Sequence, residues 1–176
     1  VASVPASTID AVMKGEPFNG ILNYPLAYTT TQPNVDHGYN VVGNPYPSNL
    51  DIKQLYDDNS GKMEEEFLFW DNRGNTIMEQ QGSDYEGFNY AKFNAATSPN
   101  GTGIAAPTNQ YHPDKKIPTR FVRPGTAFMI RAKSTANGQT LNFKNEYRVA
   151  ANDPLSPEFF GKGDEHATSD RYWLIM

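Results

Sequence analysis

Tyr39-Asn40-Val41-Val42-Gly43-Asn44-Pro45-Tyr46-Pro47-Ser48 is the stretch on which the fold turns. Val41 and Val42 are β-branched, and branched side chains pack well on a pleated surface. Gly43 and Asn44 tolerate positive φ, and Asn44 stands before a proline, which pushes it out of the α region. Pro45 and Pro47 fix two φ angles and withhold two donors from any ladder. The residues therefore specify a strand that runs straight into a rigid corner. Tyr46, between the prolines, is expected to pack against the sheet edge or the following helix. Gly43, Asn44, Pro45, Tyr46 and Pro47 contain no nucleophile–base pair, no metal-ligand spacing and no phosphate loop. The corner reads as architecture.

Downstream, apolar residues at 52, 55 and 56 predict a helix of about two turns over 50–56, capped by Ser48 or Asn49. Asp57-Asp58-Asn59-Ser60-Gly61 stops it. Phe67-Leu68-Phe69-Trp70 reads as a buried strand, closed by a turn at 71–75 with a return strand over 76–80. Residues 82–117 read as irregular, a length that marks an insertion or a binding surface. Strands resume at 120–123 and 126–132, with Phe128 and Ile130 on one face. Asn137-Gly138 is a hairpin signal, and the alternation of Thr140-Leu141-Asn142-Phe143 turns Leu141 and Phe143 inward. Upstream, Asn19-Gly20 is a second hairpin signal before an alternating strand over 21–30, which Pro25 confines to an edge or a bulge. Arg171-Tyr172-Trp173-Leu174-Ile175-Met176 is an apolar strand with no closing turn, as expected where the natural protein continues further.

Short strands, frequent Gly, Pro and Asn, and no long helical period predict an antiparallel all-β sandwich, jelly-roll-like, with one short helix and long loops. A chain of 176 residues with 38% hydrophobic content suits one core, so residues 1–176 are expected to form a single module. A net charge of −5 speaks against a nucleic-acid partner. No apolar run reaches the roughly 18 residues of a membrane span. The absence of cysteine excludes thiol catalysis, disulfides and cysteine-ligated zinc. The start at Val1 is read as that of a processed or excised piece.

The motif order carries a resemblance. Lys14-Gly15-Glu16-Pro17-Phe18-Asn19-Gly20 precedes the corner. Phe69-Trp70-Asp71, Val122-Arg123-Pro124-Gly125-Thr126-Ala127-Phe128-Met129-Ile130-Arg131-Ala132, Leu141-Asn142-Phe143-Lys144-Asn145-Glu146-Tyr147-Arg148-Val149 and Asp170-Arg171-Tyr172-Trp173-Leu174 follow it. Together they resemble the β-rich module that lies near the C-terminus of large secreted Bacteroidetes surface proteins, just before the sorting domain of type IX secretion. Tyr39 stands where that family usually has Trp, and Thr126-Ala127 where it has Gln followed by a small residue. The resemblance implies an extracellular or cell-surface location. It also implies neighbouring domains of the same polypeptide, and contact with the secretion machinery through a C-terminal region missing here. It supplies no catalytic residue.

The chemistry-bearing residues give few constellations. His37, His112 and His166 lie far apart in loops, without ligand spacing. Asp57, Asp58 and Asn59, followed by Glu64, Glu65 and Glu66, offer oxygen ligands of the kind calcium takes, but not at EF-hand spacing. The other reading is a solvated acidic turn that ends the helix. Asp71, Asn72 and Asn75 form a weaker candidate of the same type. No G-x-S-x-G is present, and no serine is tied by motif to a His and an Asp. The expectation is a non-enzyme.

Tyr85, Phe88, Tyr90, Phe93 and Tyr111 are spaced through the irregular region. They suit either packing of a long loop or an aromatic platform that stacks on sugars, with Tyr85, Tyr90 and Tyr111 as its ligand-binding residues. Trp70 and Trp173, in apolar strands, are expected in the core. Three functions follow: a non-catalytic structural or adhesion module next to a sorting domain, a carbohydrate-binding module whose partner is a polysaccharide or another surface ligand, or an accessory fragment of a hydrolase.

Overall fold

The computed structural model describes residues 16–30, 37–71, 90–106 and 116–149. In chain order the strands are β1 (Leu22–Pro25), β2 (Tyr39–Gly43), β3 (Asn49–Asp51), β4 (Met63–Trp70) and β5 (Tyr90–Asn94). They continue with β6 (Thr102–Ile104), β7 (Phe121–Val122), β8 (Ala127–Ala132), β9 (Thr140–Phe143) and β10 (Arg148–Val149). Among the described residues the one α-helix, α1 (Ile52–Asn59), follows β3 directly. All strand pairings among the described residues are antiparallel. They form a five-stranded sheet of order β2-β8-β4-β5-β6, a three-stranded sheet β10-β3-β7 and a two-stranded sheet β1-β9. The result is the sandwich-like, antiparallel all-β fold that the short-strand pattern predicts.

Alternation sorts the faces. In β8, Phe128, Ile130 and Ala132 are buried while Ala127, Met129 and Arg131 are half-buried. Phe67 and Phe69 of β4 lie on the same inner face, and their rings meet Phe128 at 5.6 and 5.8 Å. Phe93 of β5 joins them, 6.2 Å from Phe67. Leu50, Ile52, Leu55, Leu141 and Phe143 complete the other side of one core cluster. Each such side chain stabilises the fold by about 1.5–3 kcal/mol on burial. Leu141 and Phe143 face inward as their alternation predicts.

On the outer face of the large sheet the register sets Val41 opposite Met129, Met129 opposite Leu68, Leu68 opposite Lys92 and Lys92 opposite Ile104. Val41 is 62% exposed, against 4% for its neighbour Val42.

Several expectations are corrected. The helix spans Ile52–Asn59 and its cap is Asp51, not Ser48 or Asn49. Leu50 and Asp51 belong to β3 instead, because Leu50 is wanted in the core and pairs with Val122. Asn137-Gly138 does not close a hairpin: β8 and β9 lie in different sheets. A 3-10 turn at Ser134–Ala136 and Gly138 at φ +74° carry the chain between them. The strand expected at 67–70 begins earlier, at Met63. The acidic run 64–66 is accommodated by a register shift between Met63 and Phe67. The region 82–117 is not wholly irregular, since β5 and β6 lie within it. Trp70 is half-buried rather than core, because it points to the face opposite Phe69. The expected return strand at 76–80, the closing strand at 171–176, Trp173, His112 and His166 lie outside the described residues.

Candidate functional site

The corner is built from its own side chains. Asn44 is buried, and its amide Nδ2 donates to the carbonyls of Ser48 (2.7 Å) and Val122 (3.0 Å). Its Oδ1 accepts from the Tyr46 backbone N–H at 2.9 Å. That last bond is an Asx-type turn, in which a side chain does what a backbone carbonyl would do in a turn. Pro45 cannot compete for it, having no N–H.

Tyr46 goes to the core, only 2% exposed, and its hydroxyl donates to the Gly20 carbonyl at 2.9 Å. Phe18 lies 5.9 Å from its ring, and the Arg148 guanidinium sits over it at 5.6 Å. Arg148 also donates to Ser48 Oγ (3.1 Å) and Asn19 Oδ1 (3.0 Å). Burial pushes the Tyr46 phenol above its ordinary pKa, and Glu146 adds to this while Arg148 opposes it. The corner thus ties the segment before β1 to β10, and its residues serve the fold.

A second polar centre was not legible from motifs. Asp51 is 2% exposed, and its Oδ1 accepts from the backbone N–H groups of Lys53 (3.0 Å) and Gln54 (3.3 Å) at the start of α1. The same carboxylate accepts from Arg120 Nε (3.2 Å) and Nη2 (2.5 Å). Arg120 reaches on to Asn100 Oδ1 at 2.9 Å. A buried carboxylate needs such partners, since an ion removed from water without them is very costly.

Asp57, Asp58 and Asn59 are turned to separate partners. Asp57 takes the Lys53 ammonium at 2.5 Å. Asp58 Oδ2 accepts from Lys144 Nζ (2.6 Å) and Tyr147 Oη (2.7 Å). Those two hydrogen bonds hold the Asp58 carboxyl below the usual carboxylate range. Asn59 is buried; its Nδ2 donates to the Leu55 carbonyl and its Oδ1 faces Asn142 N–H and Lys62. Among the described residues, no group of three or more His, Asp or Glu side chains is gathered as a metal site.

Of the aromatic platform, Tyr85 and Tyr111 lie outside the described residues, as does Phe88. Tyr90 opens β5 opposite Trp70, with ring centroids 5.1 Å apart and planes at 73°. Phe93 is a core residue.

Among the described residues, no helix is long and apolar enough to cross a membrane. A family model described as a domain of unknown function (DUF8693) matches residues 2–176. No curated protein and no solved structure matches the chain.

Proposed function

The chain belongs to the DUF8693 family, and from that premise we propose that it is a non-catalytic structural or adhesion module of a secreted, cell-surface protein. One observation carries the reading: buried polar side chains are spent on joining distant parts of the chain. Asn44 links the corner to β7, Asp51 links α1 to Arg120, and Asn59 links the end of α1 to β9. Asn40 does the same across sheets. Its amide accepts from the Ala27 N–H and donates to the Ala27 carbonyl, both at 3.0 Å, so a side chain replaces the missing ladder between β2 and the segment after β1. Such pinning suits a module that must hold its shape between neighbouring domains. The resemblance to modules that precede a type IX sorting domain supplies the secreted context. A screen against chromogenic ester, glycoside, peptide and phosphate substrates is expected to give no turnover. Turnover that a single substitution abolishes would overturn the reading.

The Trp70–Tyr90 pair favours a second reading, a carbohydrate-binding module. Both rings are half-buried at one end of the outer sheet face, and aromatic rings stack on the apolar faces of sugars. A glycan array tests it: binding that is lost in Tyr90→Ala supports it, and an array without binding removes it.

A further inference from the structure

At the other end of that outer face, away from Trp70 and Tyr90, lies a groove of about 410 Å³ lined by Tyr28, Glu64, Arg131, Lys133, Ser134 and Thr135. Its main group is Arg131. The guanidinium Nε donates to the His37 carbonyl at 3.0 Å, and the group lies 5.6 Å from the centre of the Tyr39 ring. This fixes the plane of the guanidinium and leaves its two terminal nitrogens without a hydrogen bond to the described residues. A planar fork held in this way matches a carboxylate in two-point geometry. Lys133 lies beside it, its ammonium tethered to the Ser60 carbonyl at 2.7 Å.

The remaining groups suit hydroxyls. The Glu64 carboxylate accepts no hydrogen bond from the described residues, and the Ser134 and Thr135 side chains are exposed. Tyr28 forms an aromatic wall. Its ring rests on Gly38, where φ is +88° and an added Cβ would stand 2.7 Å from the ring and 2.5 Å from the Ala132 carbonyl oxygen. Gly38 therefore lets Tyr28 lie this close to β8. Behind the wall, the His37 ring is 5.8 Å from Tyr28, and its Nδ1 is buried with no hydrogen-bond partner among the described residues. Buried polar atoms in folded proteins nearly always have one, from protein, water or ligand.

We infer that this groove binds an acidic saccharide. Arg131 takes the carboxylate of a uronic acid unit, Glu64, Ser134 and Thr135 take ring hydroxyls, and Tyr28 covers the apolar face of the sugar. Two cations against one carboxylate select the anionic sugar over a neutral one. The inference shares its ligand class with the second reading above but not its surface, so the two fail separately.

The test is an amide-resolved NMR titration of the chain with trigalacturonate, a neutral galactose trisaccharide and citrate. Trigalacturonate is expected to shift Gly38 and residues 132–136 saturably, with citrate and the neutral sugar at least tenfold weaker. Arg131→Lys keeps the charge but loses the fork, and should weaken binding at least tenfold while leaving the spectrum of the free protein folded. The exposed Ser134→Ala/Thr135→Ala pair should weaken it severalfold without any risk to the core. No saturable shift, equal shifts with citrate, or binding indifferent to Arg131→Lys would overturn the inference. Shifts confined to Tyr90 and its neighbours would also overturn it, while leaving the second reading intact.

Discussion

Arg120 and Asp51, 69 positions apart in the chain, meet through two hydrogen bonds at a carboxylate that also caps α1. Asp51 is 2% exposed while the Arg120 side chain is 24% exposed, so the anion is the deeper partner. Removing the arginine strands a buried charge, whereas removing both members does not. Arg120→Met is therefore expected to destabilise by about 3–5 kcal/mol, the usual cost of breaking a buried pair. Asp51→Asn keeps an acceptor for the cap and should cost less. The double variant should recover part of the loss, as neutral replacement of buried pairs often does. Urea denaturation of the three variants measures this, and strictly additive losses would show that the two residues do not act as a pair.

Asn44 makes the corner through three hydrogen bonds, two given and one taken. Asn44→Asp retains the acceptor for the Tyr46 N–H and removes both donors. It also sets a carboxylate against the Ser48 and Val122 carbonyl oxygens. The Ser48 and Val122 carbonyls each lose a side-chain donor and face a charge instead, which predicts a loss of about 2–4 kcal/mol. Asn44→Ala should cost a similar amount by losing all three bonds. A fall in thermal midpoint of several degrees in both variants is the expected reading. A small effect in Asn44→Asp would locate the corner's stability in the prolines.

The contrast between Asn44 and Asp51 shows what the chain discloses locally. The corner's shape follows from Pro45, Pro47 and the Asx-type bond two residues along, all within one stretch, so it is readable from sequence. The inward faces of β8 and β9 are readable for the same reason, through a period of two. Asp51 looks like one of two acids flanking a short helix. Its partner is Arg120, and nothing within ten residues of either announces the other. Trp70 shows a different limit. In a continuous apolar run the alternation is masked, and only the pairing of Phe67 and Phe69 with the core decides that Trp70 points outward. The acidic triplet 64–66 hides a strand because the register shift after Met63 lets its side chains reach solvent. The groove around Arg131 draws on residues 28, 64 and 131–135, which no sequence window joins.

Asp57 and Asp58 are each matched with a lysine, Lys53 and Lys144. An ammonium within hydrogen-bond range of each carboxylate opposes a divalent cation at the same oxygens. A thermal melt in chelator and one in excess calcium are expected to share a midpoint. A ligand that binds only the folded state raises the midpoint by mass action, so a calcium-dependent rise that Asp58→Asn abolishes would reinstate a site in this turn.

The Asp58–Tyr147 hydrogen bond gives stability a dependence on pH at both ends of the scale. Hydrogen bonds from Lys144 and Tyr147 lower the Asp58 pKa below its reference of 3.8. A depressed folded-state value adds stability that is full above 3.8 and vanishes as pH falls through the folded value. The Asp58 side chain is 46% exposed, so solvent screening keeps this below about 1 kcal/mol. At the alkaline end, burial first and then the Asp58 hydrogen bond raise the Tyr147 phenol above its reference of 10.0. A raised folded-state value adds stability that is full below 10.0 and is lost as pH rises, because the unfolded chain releases the proton first. Tyr147→Phe keeps the ring and removes the titration. Urea unfolding across pH should therefore show Asp58→Asn converging with the wild type below 3.8, and Tyr147→Phe declining less steeply than the wild type above 10.0. A residual alkaline slope in Tyr147→Phe is expected from Tyr46, whose phenol is also raised by burial. Parallel alkaline curves for wild type and Tyr147→Phe would show that Tyr147 ionises as freely in the folded chain as in the unfolded one.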